Sequence, residues 1–74
     1  MIALIVFKGN LEKKYSYLTD IQDLKRKDWV VVESGTGYSA GQVWGYSTDQ
    51  TDEKKATAWI VSRITPRNKE LDIW

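Results

Sequence analysis

Two tyrosines and a group of basic residues are the part of the sequence best suited to binding chemistry. Tyr15 and Tyr17 share one face of a strand with Lys13, because side chains two residues apart point the same way. The basic run Lys25-Arg26-Lys27 follows further along the chain. Aromatic rings that stack on bases, bordered by cations that contact phosphates, are typical of proteins that bind single-stranded nucleic acid. If the two stretches meet, the sequence predicts a weak nucleic-acid site made of Lys13, Tyr15, Tyr17, Lys25, Arg26 and Lys27.

The same residues also have a purely structural interpretation. Tyrosine rings can cover the core while their hydroxyls stay in water, and exposed lysines keep a small domain soluble. The formal net charge of the chain is +1. A charge so close to zero excludes the broad cationic field with which many proteins bind nucleic acid. The structural interpretation is therefore favoured, and nucleic-acid binding stays the alternative.

The chain contains no cysteine and no histidine. It therefore has no disulfide and no Cys/His zinc site, and it lacks the usual general base of serine- and cysteine-dependent catalysis. The 10 carboxylates do not follow the pattern of a calcium loop, and a small domain offers little cleft for a glycosidase pair. The glycines lie within and between predicted strands and do not form a nucleotide-binding loop. We expect no enzymatic activity, no catalytic residue, no metal site and no cofactor.

The length of 74 residues allows one domain, and we assign residues 1–74 to it. A domain of this size buries only about 60% of the surface that its unfolded chain exposes, so it depends on large side chains. The chain supplies four tryptophans, four tyrosines and one phenylalanine. The apolar stretch before Lys8 is too short for a signal peptide or a membrane span. Together with the absence of cysteine, this predicts a cytoplasmic protein that does not enter a membrane.

The hydrophobic pattern predicts five short strands and at most one helical turn. The strands are expected at residues 2–7, 11–18, 29–33, 38–46 and 56–65. Gly9-Asn10 suits a tight hairpin turn, and a second hairpin turn is expected at Ser34–Gly37. The helical turn is expected at Thr19–Leu24, where Thr19-Asp20 can cap it. Residues 47–55 contain no large apolar residue and are expected to form a flexible loop.

Two glycines inside the fourth predicted strand, Gly41 and Gly45, indicate that this strand bends. In a small barrel, a bend of this kind lets one long strand belong to two sheets. Short strands with turn signals between them are typical of small closed sheets. We therefore predict an all-β domain with a five-stranded SH3-like barrel, and an OB-like barrel as the second choice.

The last residues carry the apolar side chains Leu71, Ile73 and Trp74, after Pro66 has ended the fifth predicted strand. Two interpretations remain open. The tail either folds back on the barrel and pairs with the strand at residues 2–7, or it is a free docking peptide for a partner. The first is favoured, because a large apolar side chain contributes about 1.5–3 kcal/mol when it is buried. The pattern also leaves open which of the tryptophans are exposed.

Two stretches of the chain resemble a known group of sequences. One runs from Leu24 through Lys-Arg-Lys-Asp-Trp-Val-Val-Val-Glu-Ser-Gly-Thr-Gly-Tyr-Ser-Ala-Gly-Gln-Val-Trp-Gly to Tyr46, and the other is Ala56-Thr-Ala-Trp-Ile-Val-Ser-Arg-Ile64. Together they resemble small uncharacterised proteins encoded by phages and prophages of Gram-positive bacteria. Here Arg26-Lys27 stands where glycine is usual before the aspartate. The resemblance implies a small β-barrel and a phage or prophage setting, and it brings no functional residues.

From the sequence we therefore expect a small accessory or binding protein that docks on a protein partner through exposed aromatic side chains. A weak single-stranded nucleic-acid-binding module is the alternative. Salt separates the two, because nucleic-acid affinity falls steeply with ionic strength, whereas apolar docking changes little. The sequence indicates no particular oligomeric state.

Overall fold

A computed structural model describes residues 1–65 of the chain. Within these residues, five strands form one antiparallel sheet, and a short helix precedes the last strand. The elements are β1 (Ile2–Phe7), β2 (Asn10–Leu18), β3 (Trp29–Ser34), β4 (Gly37–Ser47), α1 (Gln50–Lys55) and β5 (Ile60–Ile64). In the sheet the strands follow the order β2-β1-β4-β3-β5. The prediction of an all-β fold is confirmed.

β1 is an interior strand of the sheet and is apolar at every position. It pairs with β2 along one edge and with β4 along the other. Ala3 and Ile5 are fully buried in the core, and Val6, on the opposite face, is fully buried as well. A strand that is covered on both faces needs apolar residues throughout, which is why the sequence pattern identifies it. Within residues 1–65, both edges of β1 are thus occupied. The C-terminal tail, which is predicted to pair with β1, lies outside the described residues.

β4 is the long strand that the sequence predicts, but it belongs to a single sheet, in which it pairs with two neighbours. Its first half, to Gln42, pairs with β3, and its second half pairs with β1. The register shifts where Ile5 faces Val43 and Leu4 faces Gly45, so Trp44 forms a bulge between them. The strand thus changes partners and bends at about the place where its glycines lie.

The core lies between the inner faces of the strands. Its buried members are Ala3, Ile5, Leu24, Val30, Val32, Val43 and Ile60. Phe7, Tyr17 and Ile21 pack against this cluster from its margin. Val30 and Val32 contribute alternate side chains of β3, as the period of a half-buried strand requires.

The segment between β2 and β3 is an irregular loop, so the predicted helical turn at Thr19–Leu24 is wrong. The Thr19 hydroxyl accepts a hydrogen bond from the amide of Ile21 (3.0 Å) and closes a local turn instead of capping a helix. The Tyr46 hydroxyl accepts a hydrogen bond from the amide of Leu24 (2.9 Å) and donates one to the carbonyl of Ile21. These bonds keep the loop folded over the core, where Leu24 is buried.

A helix forms where the sequence predicts a flexible loop. The Asp49 carboxylate caps α1 by accepting a hydrogen bond from the amide of Thr51 (2.8 Å). Acidic residues lie in the first turn, and Lys54 and Lys55 lie in the last, an order that suits the helix dipole. No residue of α1 is buried, so no apolar period marks it in the sequence. No helix within residues 1–65 is long and apolar enough to cross a membrane.

Three connections within residues 1–65 use positive φ angles, and one of them is the β3–β4 turn, where Gly37 has a φ of 133°. Lys8-Gly9 forms the first hairpin turn, since Phe7 pairs with Asn10 and Gly9 has a φ of 90°. The predicted turn, Gly9-Asn10, is therefore displaced by one residue. Lys27, just before β3, has a φ of 76°, a conformation that favours glycine.

The sheet is not closed into a barrel. Its edges are β2 and β5. They approach each other where Leu18 and Trp59 form an isolated parallel bridge and the amide of Leu18 donates a hydrogen bond to the carbonyl of Ala58 (2.9 Å). β5 begins at Ile60 rather than at Ala56 as predicted.

Candidate functional site

A cleft of about 790 Å³ opens between the outer edge of β2 and the end of β3. Residues 13–17 of β2 form one side, and residues 33–35 form the other. Side chains of α1 and residues 57–58 complete the lining. We call this the β2 cleft. It is present because β2 meets the segment before β5 at Leu18 and stays apart from the rest of the sheet edge.

The outer edge of β2 presents backbone groups to the cleft. The amide of Thr19 donates to the carbonyl of Met1 on the β1 side, and the amide of Leu18 donates outward to Ala58. Because backbone groups of successive residues in a strand point to opposite sides, the N–H and C=O groups of Ser16 also point outward. The β1–β2 register shifts beyond Tyr15, and continued alternation along the strand brings the groups of Lys14 to the same side. Within residues 1–65, no strand pairs with β2 on this side.

Two tyrosine rings form the inner face of the cleft. Tyr15 and Tyr17 lie opposite Ile5 and Ala3 in the β1–β2 register, so they share the core side of the sheet. Both make edge-to-face contacts with Phe7, at centroid distances of 5.4 Å and 6.2 Å respectively. Burial, and to a lesser extent the neighbouring Tyr15, raises the pKa of Tyr17 above its ordinary value. The rings are therefore held by the core on one side and contribute an apolar surface to the cleft on the other.

Ser34 places an unsatisfied hydroxyl on the opposite side of the cleft. It continues the inward-facing row of Val30 and Val32 along β3. Its Oγ atom is buried and has no hydrogen-bond partner among the described residues. A buried polar group without a partner costs about 1–3 kcal/mol. A ligand in the cleft that accepted this hydrogen bond would recover part of that cost.

The lysines and the carboxylates of the cleft have different partners within the protein. The ammonium of Lys13 lies 4.9 Å from the centroid of the Tyr15 ring. The carboxylate of Glu33 accepts a hydrogen bond from the amide of Trp59 (2.8 Å), and that of Asp52 accepts one from the Ser47 hydroxyl (2.6 Å). These hydrogen bonds orient the two carboxylates, which keep their negative charge, and the lining formed by the described residues has three lysines against two carboxylates.

The predicted nucleic-acid site is divided between two faces of the sheet. Lys13, Tyr15 and Tyr17 come together in the β2 cleft. Arg26 instead lies over the Trp44 ring, 4.3 Å from its centroid, and its Nε donates to the Trp44 carbonyl (3.0 Å). Lys14, which alternates with Lys13 and points to the other face, also lies over that ring. Lys25 and Lys27 belong to the same turn as Arg26 and do not line the cleft.

Several residues of the cleft are absent from the sequence-based prediction. Ser34 follows Val32 at the spacing of an inward-facing strand residue, and this alternation is the signal that identifies it. Lys55 reaches the cleft through α1, for which the sequence has no apolar signal. Of the tryptophans, Trp59 is 44% exposed, whereas Trp29 and Trp44 are half-buried. Trp74 lies outside the described residues.

Comparison with protein-family models, with curated proteins and with solved structures finds no match to this chain. Within residues 1–65, no group of three or more histidines, cysteines, aspartates or glutamates is placed to hold a metal ion. The inferences that follow therefore depend on the geometry of the cleft.

Proposed function

We propose that the protein is a non-enzymatic binding module that docks on a partner protein by taking an extended segment of that partner into the β2 cleft. The observation that carries the proposal is the outer edge of β2, whose backbone groups at Lys14 and Ser16 have no strand partner within residues 1–65. An open strand edge is a template for another strand. Addition of a peptide strand to such an edge is a recurring mode of protein recognition.

The surroundings of the edge supply the rest of the binding surface. Each backbone hydrogen bond to an added strand contributes about 0.5–1.5 kcal/mol net. The rings of Tyr15 and Tyr17 provide apolar contact area on the inner face, and the Ser34 hydroxyl provides a donor on the far side. Because association also costs translational and rotational freedom, we expect reversible binding in the micromolar range.

The proposal also covers the type of barrel that the strands resemble. We propose that the strands follow the course of an SH3-like barrel whose sheet stays open between β2 and β5, with an OB-like course as the second choice. The sharing of β4 between two neighbours and the approach of β2 to Ala58 support a barrel-like arrangement. A phage or prophage setting rests on the resemblance of Leu24–Tyr46 and Ala56–Ile64 described above, and a cytoplasmic location rests on the absence of cysteine.

Binding of single-stranded nucleic acid is the second candidate, and the contact of Lys13 with Tyr15 beside Tyr17 favours it. It has less support than peptide binding. Arg26 and its neighbours, which would contact phosphates, lie away from the cleft. Both tyrosine rings are also packed against Phe7, which limits the ring surface that a base could cover.

The proposal is tested with a random octapeptide display library selected against the wild-type protein and against Ser16→Pro. Proline at position 16 removes an N–H that points into the cleft, and it leaves intact the hydrogen bonds that Tyr15 and Tyr17 make to β1. Ser16→Ala is the matched control, because it keeps that N–H. We expect peptides to be enriched on the wild-type protein and on Ser16→Ala, with at least a tenfold loss of affinity for Ser16→Pro, from the lost bond and the steric clash of the ring.

Amide hydrogen exchange then reports the mode of binding. Strand addition protects the amides of Lys14 and Ser16 in the bound state, because these groups become hydrogen-bonded. Contacts through side chains alone leave their exchange rates unchanged. The proposal is overturned if no peptide is enriched, or if the enriched peptides bind Ser16→Pro as tightly as they bind the wild type, provided that the variant keeps the wild-type melting transition.

A further inference from the structure

We infer that the segment bound in the β2 cleft is acidic: it directs a carboxylate toward Lys13 and, two positions along, an apolar side chain toward the tyrosines. This inference rests on the proposed function, because it names the chemistry of the ligand at the same site. It follows from the charges that the cleft leaves uncompensated, from the spacing of the side chains along β2, and from the buried hydroxyl on the opposite side.

Three lysines line the cleft without a carboxylate partner within residues 1–65: Lys13, Lys14 and Lys55. The salt bridges in this part of the chain are made by Arg63, which lies elsewhere. Lys14 contacts the Trp44 ring on the other face of the sheet, so Lys13 and Lys55 are the cations available to a ligand. They belong to different elements, β2 and α1, which pack against each other.

The acidic residues of the cleft do not neutralise these lysines. The Glu33 carboxylate is held by the amide of Trp59, and the Asp52 carboxylate is held by the Ser47 hydroxyl. Both acceptors are thus oriented toward groups of the protein. Each carboxylate keeps its negative charge when it accepts a hydrogen bond, but the lining within residues 1–65 has three lysines against these two carboxylates. An acidic segment therefore gains more than a basic one, since it meets an attractive partner at Lys13 or Lys55.

The spacing along β2 sets the order of side chains in the ligand. Tyr15 and Tyr17 lie on the inner face opposite Ile5 and Ala3, about 7 Å apart along the strand. The Lys13 ammonium lies beside them, 4.9 Å from the centroid of the Tyr15 ring. The inward side chains of an added strand repeat at the same distance and lie opposite these residues. When an inward-facing carboxylate of the bound peptide lies opposite Lys13, the next inward-facing side chain of the peptide lies opposite Tyr15 and should be apolar.

The Ser34 hydroxyl supplies the third element of recognition. It is buried on the side of the cleft opposite β2 and has no acceptor among the described residues. The acceptors of an acidic peptide, its carboxylates and its backbone carbonyls, match this donor. A segment that is held on one side by the backbone of β2 meets Ser34 on its other side.

The test uses three acetylated octapeptides with the repeating sequence Ser-Xaa-Ser-Val, in which Xaa is glutamate, glutamine or lysine. Affinities are measured by fluorescence anisotropy, and amide exchange at Lys14 and Ser16 is followed with each peptide up to millimolar concentration. Lys13→Gln and Lys55→Gln remove the proposed contacts singly. Lys54→Gln is the matched control, because it removes a lysine from the same helix that does not line the cleft.

We expect the glutamate peptide to bind about tenfold more tightly than the lysine peptide, with the glutamine peptide between them. Each cleft variant should weaken the glutamate peptide by about threefold, as for an exposed ion pair, and Lys54→Gln should have no effect. Added salt should reduce the preference.

The outcomes separate the inference from the proposed function. If the three peptides bind equally well and protect Lys14 and Ser16, the acidic preference is wrong and strand addition stands. If none of them protects these amides but a peptide from the display library does, the acidic preference is wrong and strand addition stands; if no peptide of either kind protects them, both are overturned. An octanucleotide of thymidine that binds more tightly than the glutamate peptide, without amide protection, would replace both with the nucleic-acid hypothesis.

Discussion

Replacing Gly41 by alanine should destabilise the protein, although the same change at Gly45 should not. An ideal Cβ at position 41 would lie 2.6 Å from Cγ2 of Ile5, 2.9 Å from the carbonyl oxygen of Val6 and 3.0 Å from the Phe7 ring. The carbonyl belongs to β1, which is paired on both edges, and Ile5 is fully buried, so neither can move aside without disturbing the sheet. At Gly45 a Cβ would meet nothing within 4 Å.

The magnitude follows from two opposing terms. Overpacking of a well-filled core costs about 1–3 kcal/mol, and removing a glycine from the unfolded chain recovers about 0.4–1 kcal/mol. We therefore expect Gly41→Ala to lower the free energy of unfolding by about 1–2 kcal/mol and Gly45→Ala to leave it unchanged or raise it slightly. The larger Gly41→Val should lower it further.

Urea denaturation followed by tryptophan fluorescence measures this difference. The midpoint of Gly41→Ala should fall while the slope m stays that of the wild type, which would show that stability and not compactness has changed. In a thermal melt, each 1 kcal/mol corresponds to a shift of roughly 4–8 °C for a domain of this size. Equal midpoints for the two alanine variants would refute the close approach of β4 to β1 at this glycine.

Three further predictions concern the loop between β2 and β3. Lys27→Gly should raise the free energy of unfolding by about 0.5–1 kcal/mol, because glycine adopts the positive φ without strain; a lower urea midpoint would contradict this. Tyr46→Phe should lower it by about 1–2 kcal/mol and speed exchange of the Leu24 amide, which loses its acceptor; unchanged exchange would contradict this. The hydrogen bond and the charge of Arg63 lower the pKa of Asp23, so in Arg63→Gln that pKa should return to its ordinary range in a carboxyl NMR titration. The corresponding stability is present above the ordinary aspartate pKa and is lost as the pH falls through the lowered value, and an Asp23 titration unaffected by Arg63→Gln would show that the ion pair does not form in solution.

The sequence predicts best those strands in which the pattern of apolar residues matches the pattern of buried positions. β1 is apolar throughout because both of its faces are covered, and β3 alternates around Val30 and Val32, which fill the core. The glycines of β4 indicate a bend, and the strand does change partners there. The physical cause at Gly41 is the close approach of β1, a contact between distant residues that the local sequence does not contain.

Capping residues predict the helix of this chain less well than apolar patterns predict its strands, and the segments after Thr19 and Asp49 show the reason. Thr19 and Asp49 are both suitable helix caps, and each accepts a hydrogen bond from the amide two residues later. After Asp49 the chain continues as α1, with opposite charges at its two ends. After Thr19 the chain turns, because Leu24 enters the core and Tyr46 binds the loop backbone. The same local hydrogen bond therefore begins a helix or a turn, and distant contacts decide between them.

The predicted site illustrates the same limit. Lys13, Tyr15 and Tyr17 share a face because a strand alternates, and this part could be read from the sequence. Whether Arg26 joins them depends on which face of the sheet its turn covers, and the bulge at Trp44 provides a ring for it on the other face. Ser34 and Lys55 join the site only through the order of strands in the sheet and through α1.

The cleft itself has a local cause at the start of β5. The amide of Trp59 donates to the side chain of Glu33, while its carbonyl accepts from the backbone amide of that residue. The ladder between β3 and β5 ends there, because a carboxylate has taken the place of the next backbone acceptor. The preceding residues then cross toward β2, where the carbonyl of Ala58 accepts from Leu18. A fifth strand that began at Ala56, as predicted, would continue beside the end of β3 and cover part of the space that the cleft occupies. The late start of β5 and the open edge of β2 therefore have the same cause, which is the hydrogen bond between the Trp59 amide and the Glu33 carboxylate.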